Sequence, residues 1–173
     1  MSRSARLDLR SFQQELATRL AAKTTAQVES SRLGIACGDE RWLIRLADAG
    51  EVIAVPPIVS VPLTRRWFLG LANIRGNLHS VIDFPAFLGR APVAVGGLSR
   101  LILLNARAGE QNAGIVVERV LGLRNLAQLE PAHEEQPAHE WHVQRWLDPD
   151  GSTWQEIDLG KLARDPAFLQ VSA

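Results

Sequence analysis

From residue 32 onward the chain is a ladder of short apolar runs broken by turn residues, and that pattern confines it to a fold of many short strands. Residues 32–37, 42–46, 51–55, 71–74, 78–82, 98–104, 113–117, 120–123, 143–147 and 153–157 all have strand length and apolar character. Gly-Asp, Gly-Asn, Gly-Glu-Gln-Asn and Asp-Pro-Asp-Gly clusters separate several of them. Many short strands at such spacing build a barrel or a sandwich, not a parallel α/β sheet. A convincing helical period occurs ahead of the ladder. Over residues 7–22, Leu9, Phe12, Leu16 and Leu20 recur at helical spacing, while Arg10, Gln13, Gln14 and Arg19 fill the other face. Such an amphipathic helix packs on the chain's own core or docks a partner.

A fainter signal points to duplication. Gly76-Asn77-Leu78-His79-Ser80-Val81-Ile82-Asp83-Phe84 aligns with Gly151-Ser152-Thr153-Trp154-Gln155-Glu156-Ile157-Asp158-Leu159. Each segment ends in an Ile-Asp-apolar triplet, and a short helix-like piece follows each. Two related β-lobes would account for this, with Asp83 and Asp158 at matched positions where a strand ends and a helical turn begins. A carboxylate there caps exposed N–H groups.

Within the first of these segments, the apolar runs 69–74 and 78–84 flank Arg75-Gly76-Asn77. Gly-Asn between apolar runs predicts a hairpin turn, because both residues tolerate positive φ. Arg75 would stand beside that turn, and its planar fork suits carboxylates and backbone carbonyls. The segment Gly70-Leu71-Ala72-Asn73-Ile74-Arg75-Gly76 closely resembles the central motif of CheW-like domains, the small adaptors of bacterial chemosensory arrays. The resemblance extends upstream through Gly38-Asp39-Glu40, the run 42–46, Glu51 and Pro62. Downstream it takes in Ala113-Gly114-Ile115-Val116-Val117-Glu118-Arg119-Val120, with Glu118 where the family usually has Asp. It covers residues 33–162 in all.

That resemblance implies a mainly β, CheW-like fold: two packed SH3-like five-stranded β-barrel lobes with short connecting helices. The expected organisation is a helical extension and linker over 1–31, the domain over 32–164 and a tail over 165–173. The implied partners are the cytoplasmic tip of a methyl-accepting chemoreceptor and the regulatory CheW-like domain of a CheA-type histidine kinase. The implied partner-binding residues are Glu51, Gly70, Asn73, Arg75 and Gly76. Arg75 could be a contact or an organiser of the groove between lobes. The extension, the tail and residues 67–84 most resemble the CheW-like adaptors of type IV pilus twitching pathways, in which the receptor would be PilJ-like. A flagellar chemotaxis adaptor is the alternative.

Composition weighs against other functions. Nineteen basic and nineteen acidic residues cancel, so the footprint needed to hold a phosphate backbone is missing. A nucleic-acid-binding small barrel would need a basic face with interleaved aromatics, whereas Arg65-Arg66 is the main adjacent basic pair. His133, His139 and His142 with Glu134, Glu135 and Glu140 match no metal-ligand spacing in a region, 127–141, that reads as a solvated loop. His79, between Leu78 and Ser80, has no paired acid or nucleophile, and no Gly-rich phosphate loop is found, so neither enzyme activity nor a cofactor is expected. The single Cys37 reads as a small buried hydrophobe. Trp42, Trp146 and Trp154 are expected in lobe cores, and Trp67 either at an interface or packed in a link. No apolar stretch approaches the ~18 residues of a membrane span and no signal-peptide core is found, so a cytoplasmic protein without direct membrane insertion is expected. A sensor of small ligands is a further possibility that would require a cavity.

Overall fold

The computed structural model describes residues 30–105, 108, 112–132 and 139–173. The helix expected over 7–22 lies outside the described residues. The apolar ladder becomes eleven strands: β1 (Ser31–Cys37), β2 (Glu40–Arg45), β3 (Ala49–Ala54), β4 (Phe68–Ile74), β5 (Asn77–Asp83), β6 (Arg100–Leu104), β7 (Ala113–Val117), β8 (Arg119–Asn125), β9 (Glu130–Ala132), β10 (His142–Leu147) and β11 (Thr153–Ile157). All ten expected strands are present. β9 is the addition, in the segment read as loop from its composition. Among the described residues it pairs with β10 alone, and an edge position of this kind accepts Pro131 and needs no apolar pattern.

The strands form two sheets, ordered β8-β1-β2-β11-β10-β9 and β3-β6-β7-β5-β4. The second sheet is inserted between β2 and β8 of the first. Without β9, the two orders match position by position: β3 with β8, β6 with β1, β7 with β2, β5 with β11 and β4 with β10. The pairing directions agree as well, since β5 lies parallel to β7 and β11 lies parallel to β2. The lobes are therefore one five-stranded plan used twice, circularly permuted in the first lobe, which holds strands from both ends of the described chain. The repeat seen in the sequence is the pair β5 and β11. Asp83 Oδ1 accepts the Ala86 N–H and Asp158 Oδ1 accepts the Lys161 N–H, both at 2.9 Å, capping the short helices Phe84–Phe87 and Leu159–Leu162.

Period-2 alternation distributes side chains between three cores. Ile35, Trp42, Ile44, Ile82, Ile102, Ile115 and Ile157 face inward between the sheets and join Phe84, Leu159, Leu162 and Phe168 in the largest cluster. The intervening residues Val81, Leu101, Leu103 and Val116 fill a second cluster, and Leu43 and Trp154 a third. Strands covered on both faces read as unbroken apolar runs, which is why 101–104 and 115–117 carry no polar residue. Cys37 is buried in the central core, and burial pushes its thiol far above the ordinary range. Trp42 and Trp154 are core residues, whereas Trp146 is only half-buried against the third cluster.

Trp141, assigned to the solvated stretch 127–141, is instead 2 % exposed and part of the central core. Its lone indole in a polar context gave no periodic signal. At the carboxyl end, the helix Pro166–Leu169 seats Phe168 in the same core. Hydrogen bonds from Arg65 N–H to Val171 O and from Ala173 N–H to Leu63 O tie the last residues to the link before β4.

Candidate partner-binding site

Register pairs Ile74 with Asn77, so the two central residues of the β4–β5 turn are Arg75 and Gly76. Their φ values, 52° and 86°, are both left-handed, as a type I′ turn demands. The turn expected at Gly76-Asn77 is thus displaced by one residue, and Asn77 opens β5. The Asn73 side chain explains the displacement: its Oδ1 accepts the Gly76 N–H at 2.9 Å. Glycine takes the second turn position at no steric cost. Arg75 takes the first, where left-handed backbone costs an L-residue about 1–2 kcal/mol.

What holds Arg75 lies across the lobe. Its Nη2 meets Glu51 Oε1 at 2.7 Å, although Glu51 belongs to β3 at the opposite end of the strand order. The sheet must curl for the two ends to meet, and Gly70 is where it does so. After β3 the chain crosses β4, with the Val59 N–H donating to Leu71 O and the Leu71 N–H donating to Val59 O. A Cβ built on Gly70, at φ 132°, would stand 2.1 Å from Val59 O. Only glycine admits that crossing.

The five residues expected to bind partners therefore fall into different roles. Gly70 is buried and permits lobe closure. Asn73 secures the turn by accepting the Gly76 N–H, and Gly76 occupies its second central position. Glu51 and Arg75 form an exposed ion pair, with 38 % and 76 % of their side-chain surfaces accessible. Such a pair adds at most about 1 kcal/mol to the fold, so most of what it offers is available at the surface. Three apolar side chains missed in the sequence belong to the same segments: Val52 next to Glu51, Leu78 opposite Asn73, and Val59 at the crossing, exposed by 40 %, 62 % and 72 %. Their apolar character read as core, and only exposure separates them from their buried neighbours.

This corner carries no nucleophile with its base. His79 is half-buried in β5, and among the described residues its buried Nδ1 has no hydrogen-bond partner. Asp83 is buried, with Oδ1 on Ala86 N–H and Oδ2 on Val93 N–H. Desolvation raises its carboxyl above the ordinary range, against the lowering effect of those two hydrogen bonds. Among the described residues no group of three or more His, Cys, Asp and Glu could hold a metal ion. His133, Glu134 and Glu135 lie outside them, while His139 stacks on Trp141 with ring centroids 4.6 Å apart.

Comparison with known proteins supplies the family context. The model of the CheW-like domain family matches residues 32–167. The chain is 26 % identical over 161 residues to the protein PilI of Pseudomonas aeruginosa, covering 89 % of each chain. It is 29 % identical over 89 residues to the protein FrzA of Myxococcus xanthus, covering 51 % of this chain and 54 % of that one. The solved scaffolding protein TtCheW of Thermoanaerobacter tengcongensis superposes with a TM-score of 0.62 at 21 % identity, over 75 % of this chain and 88 % of that one. That likeness concerns the fold.

Proposed function

The chain belongs to the CheW-like domain family of non-catalytic chemosensory scaffolds, and from that premise we propose that it couples a methyl-accepting chemoreceptor to a CheA-type histidine kinase in a type IV pilus twitching pathway. The pathway reading is supported by the similarity to PilI over 89 % of each chain. A flagellar chemotaxis adaptor is the second reading, favoured by 24 % identity over 100 residues to a probable chemotaxis protein CheW of Rhizobium etli. In either setting the protein would sit in membrane-associated arrays through its partners. No helix among the described residues is long and apolar enough to cross a membrane.

The observation that carries the adaptor reading is the Glu51–Arg75 pair, bared at the closure of the inserted lobe. A partner that covers a lone guanidinium must desolvate an unpaired charge, at a cost of several kcal/mol. Covering a pair already joined at 2.7 Å avoids much of that cost, and the lowered dielectric strengthens the pair. The remaining N–H groups of Arg75 can still bond partner carbonyls or carboxylates. Exposed Val52, Leu78 and Val59 would supply apolar contact nearby.

The test is a charge exchange read by calorimetry against a receptor-tip fragment and the kinase regulatory domain. Glu51→Arg and Arg75→Glu should each weaken binding to at least one partner by about 1.5–3 kcal/mol, the range for a hydrogen bond to a charged group. The double exchange should restore folding stability without restoring binding. Single variants that bind both partners like wild type, or a double exchange that fully regains binding, would overturn the assignment. Deleting the gene should abolish twitching and spare swimming; loss of swimming alone selects the flagellar reading.

A further inference from the structure

The inserted lobe has a second feature at the other end of the β4–β5 hairpin. Trp67 immediately precedes β4 and the helix Phe84–Phe87 immediately follows β5, so both stand about 25 Å along the strands from the Arg75 turn at ~3.3 Å per strand residue. There, residues of both lobes and of the carboxyl-terminal segment enclose a groove of about 490 Å³. That volume lies within the range of small-molecule sites.

The walls are aromatic and come from both lobes. Trp67 meets Phe87 edge-on at 5.3 Å, and Phe87 meets Trp141 of the other lobe at 6.2 Å. His139 lies flat on Trp141 with an interplanar angle of 8°. Among the described residues the charged lining is biased to one sign, with Arg65, Arg90 and Arg145 against the carboxylate of Glu40. Glu40 is already engaged, since Arg90 Nε and Nη2 reach its Oε1 at 3.1 and 2.6 Å. Arg65 is anchored by donating from Nε to Gln170 O, which leaves its two terminal nitrogens for other acceptors. Trp141 adds an unmet demand: among the described residues its indole Nε1, buried in a residue only 2 % exposed, has no hydrogen-bond acceptor. A buried donor without an acceptor carries a desolvation penalty, which a suitable acceptor removes.

We propose that this groove is a ligand site for a small organic anion with a flat apolar body, such as an aryl carboxylate. The ring would be held against Trp67, Phe87 and the His139 that covers Trp141, and the carboxylate by the terminal nitrogens of Arg65, with Arg145 adding positive charge alongside. Because the walls belong to both lobes, occupancy ties the lobes together and raises the melting temperature.

Three probes of one shape and different charge test it: phenylacetate, phenylacetamide and phenethylammonium. Calorimetry and the indole N–H signals of a ¹⁵N-labelled full-length chain are the readouts. Phenylacetate should bind in the millimolar range or tighter, shift the Trp141 indole signal, and bind at least about tenfold more tightly than phenethylammonium. Arg65→Gln and Arg145→Gln should each weaken phenylacetate about fivefold or more, while Arg164→Gln, outside the lining, leaves it unchanged. Absence of phenylacetate binding at about 10 mM would overturn the site. Equal affinity for all three probes would overturn its anion selectivity, and binding indifferent to both lining substitutions would overturn its location.

Discussion

Asp83 and Glu156 are carboxylates that this fold buries. Asp83 sits at 1 % exposure with both oxygens on backbone N–H groups, yet desolvation leaves its carboxyl harder to ionise than in the unfolded chain. A carboxyl whose pKa is raised on folding is more protonated in the native state. Its contribution to stability therefore grows as pH falls through that raised value and is lost as pH rises through it. The stability difference between wild type and Asp83→Asn should move in favour of wild type on going from neutral pH to about 4, as read by urea melts. A difference constant across that interval contradicts the burial argument. Glu156, 3 % exposed, accepts from Arg32 Nε at 2.6 Å and from the Trp146 indole at 2.8 Å, joining β1 to β11 across β2. Glu156→Leu alone should cost about 3–5 kcal/mol because it removes the carboxylate that neutralises a buried guanidinium. Adding Arg32→Met should recover most of that loss, and a cycle in which the two costs simply add would show the pair uncoupled.

Among the elements, the β4–β5 hairpin depends on two glycines for different reasons. Gly76 makes the I′ turn, whereas Gly70 makes room for the chain that crosses β4 and closes the lobe. Gly70→Ala places a methyl against backbone that cannot yield. The expected loss is about 3 kcal/mol or more, beyond a simple propensity change, because left-handed strain and overpacking combine. Binding at the Glu51–Arg75 corner should fall with it, since the crossing sets where β3 meets the turn. The check is a denaturant melt beside a titration with receptor fragment. An alanine variant as stable as wild type would show that Val59 and Ser60 can shift, and would detach the crossing from the site. β9 makes the complementary point: a strand at a sheet edge forms from Glu-Pro-Ala because it need satisfy only one neighbour.

At the scale of the whole molecule, the largest core lies between the sheets, and the first lobe draws β1 and β2 from one end of the described chain and β8 to β11 from the other. Neither lobe can cover the inner faces of Trp42, Ile102 and Ile115 alone. Unfolding should therefore be a single transition, with tryptophan fluorescence and far-UV circular dichroism giving coincident denaturant curves. Ile102→Ala should shift that one transition by about 2–5 kcal/mol without splitting it. Two resolved transitions would mean that the shared core does not bind the lobes into one cooperative unit.

The sequence by itself determined ten of the eleven strands, both aspartate caps, the duplication and the family motif, because apolar period, turn chemistry and capping act between residues close in the chain. It named Glu51 and Arg75 but left them separate. That they form one ion pair was decided by lobe closure over Gly70, just as the Arg32–Glu156 pair was decided by sheet order across 124 residues. Exposure was decided at the same level: Leu78 and Val81 stand in one apolar run, and only tertiary packing leaves the first bare and buries the second. Contacts between distant segments leave no periodic trace in a single chain, since their energy depends on what the fold brings alongside.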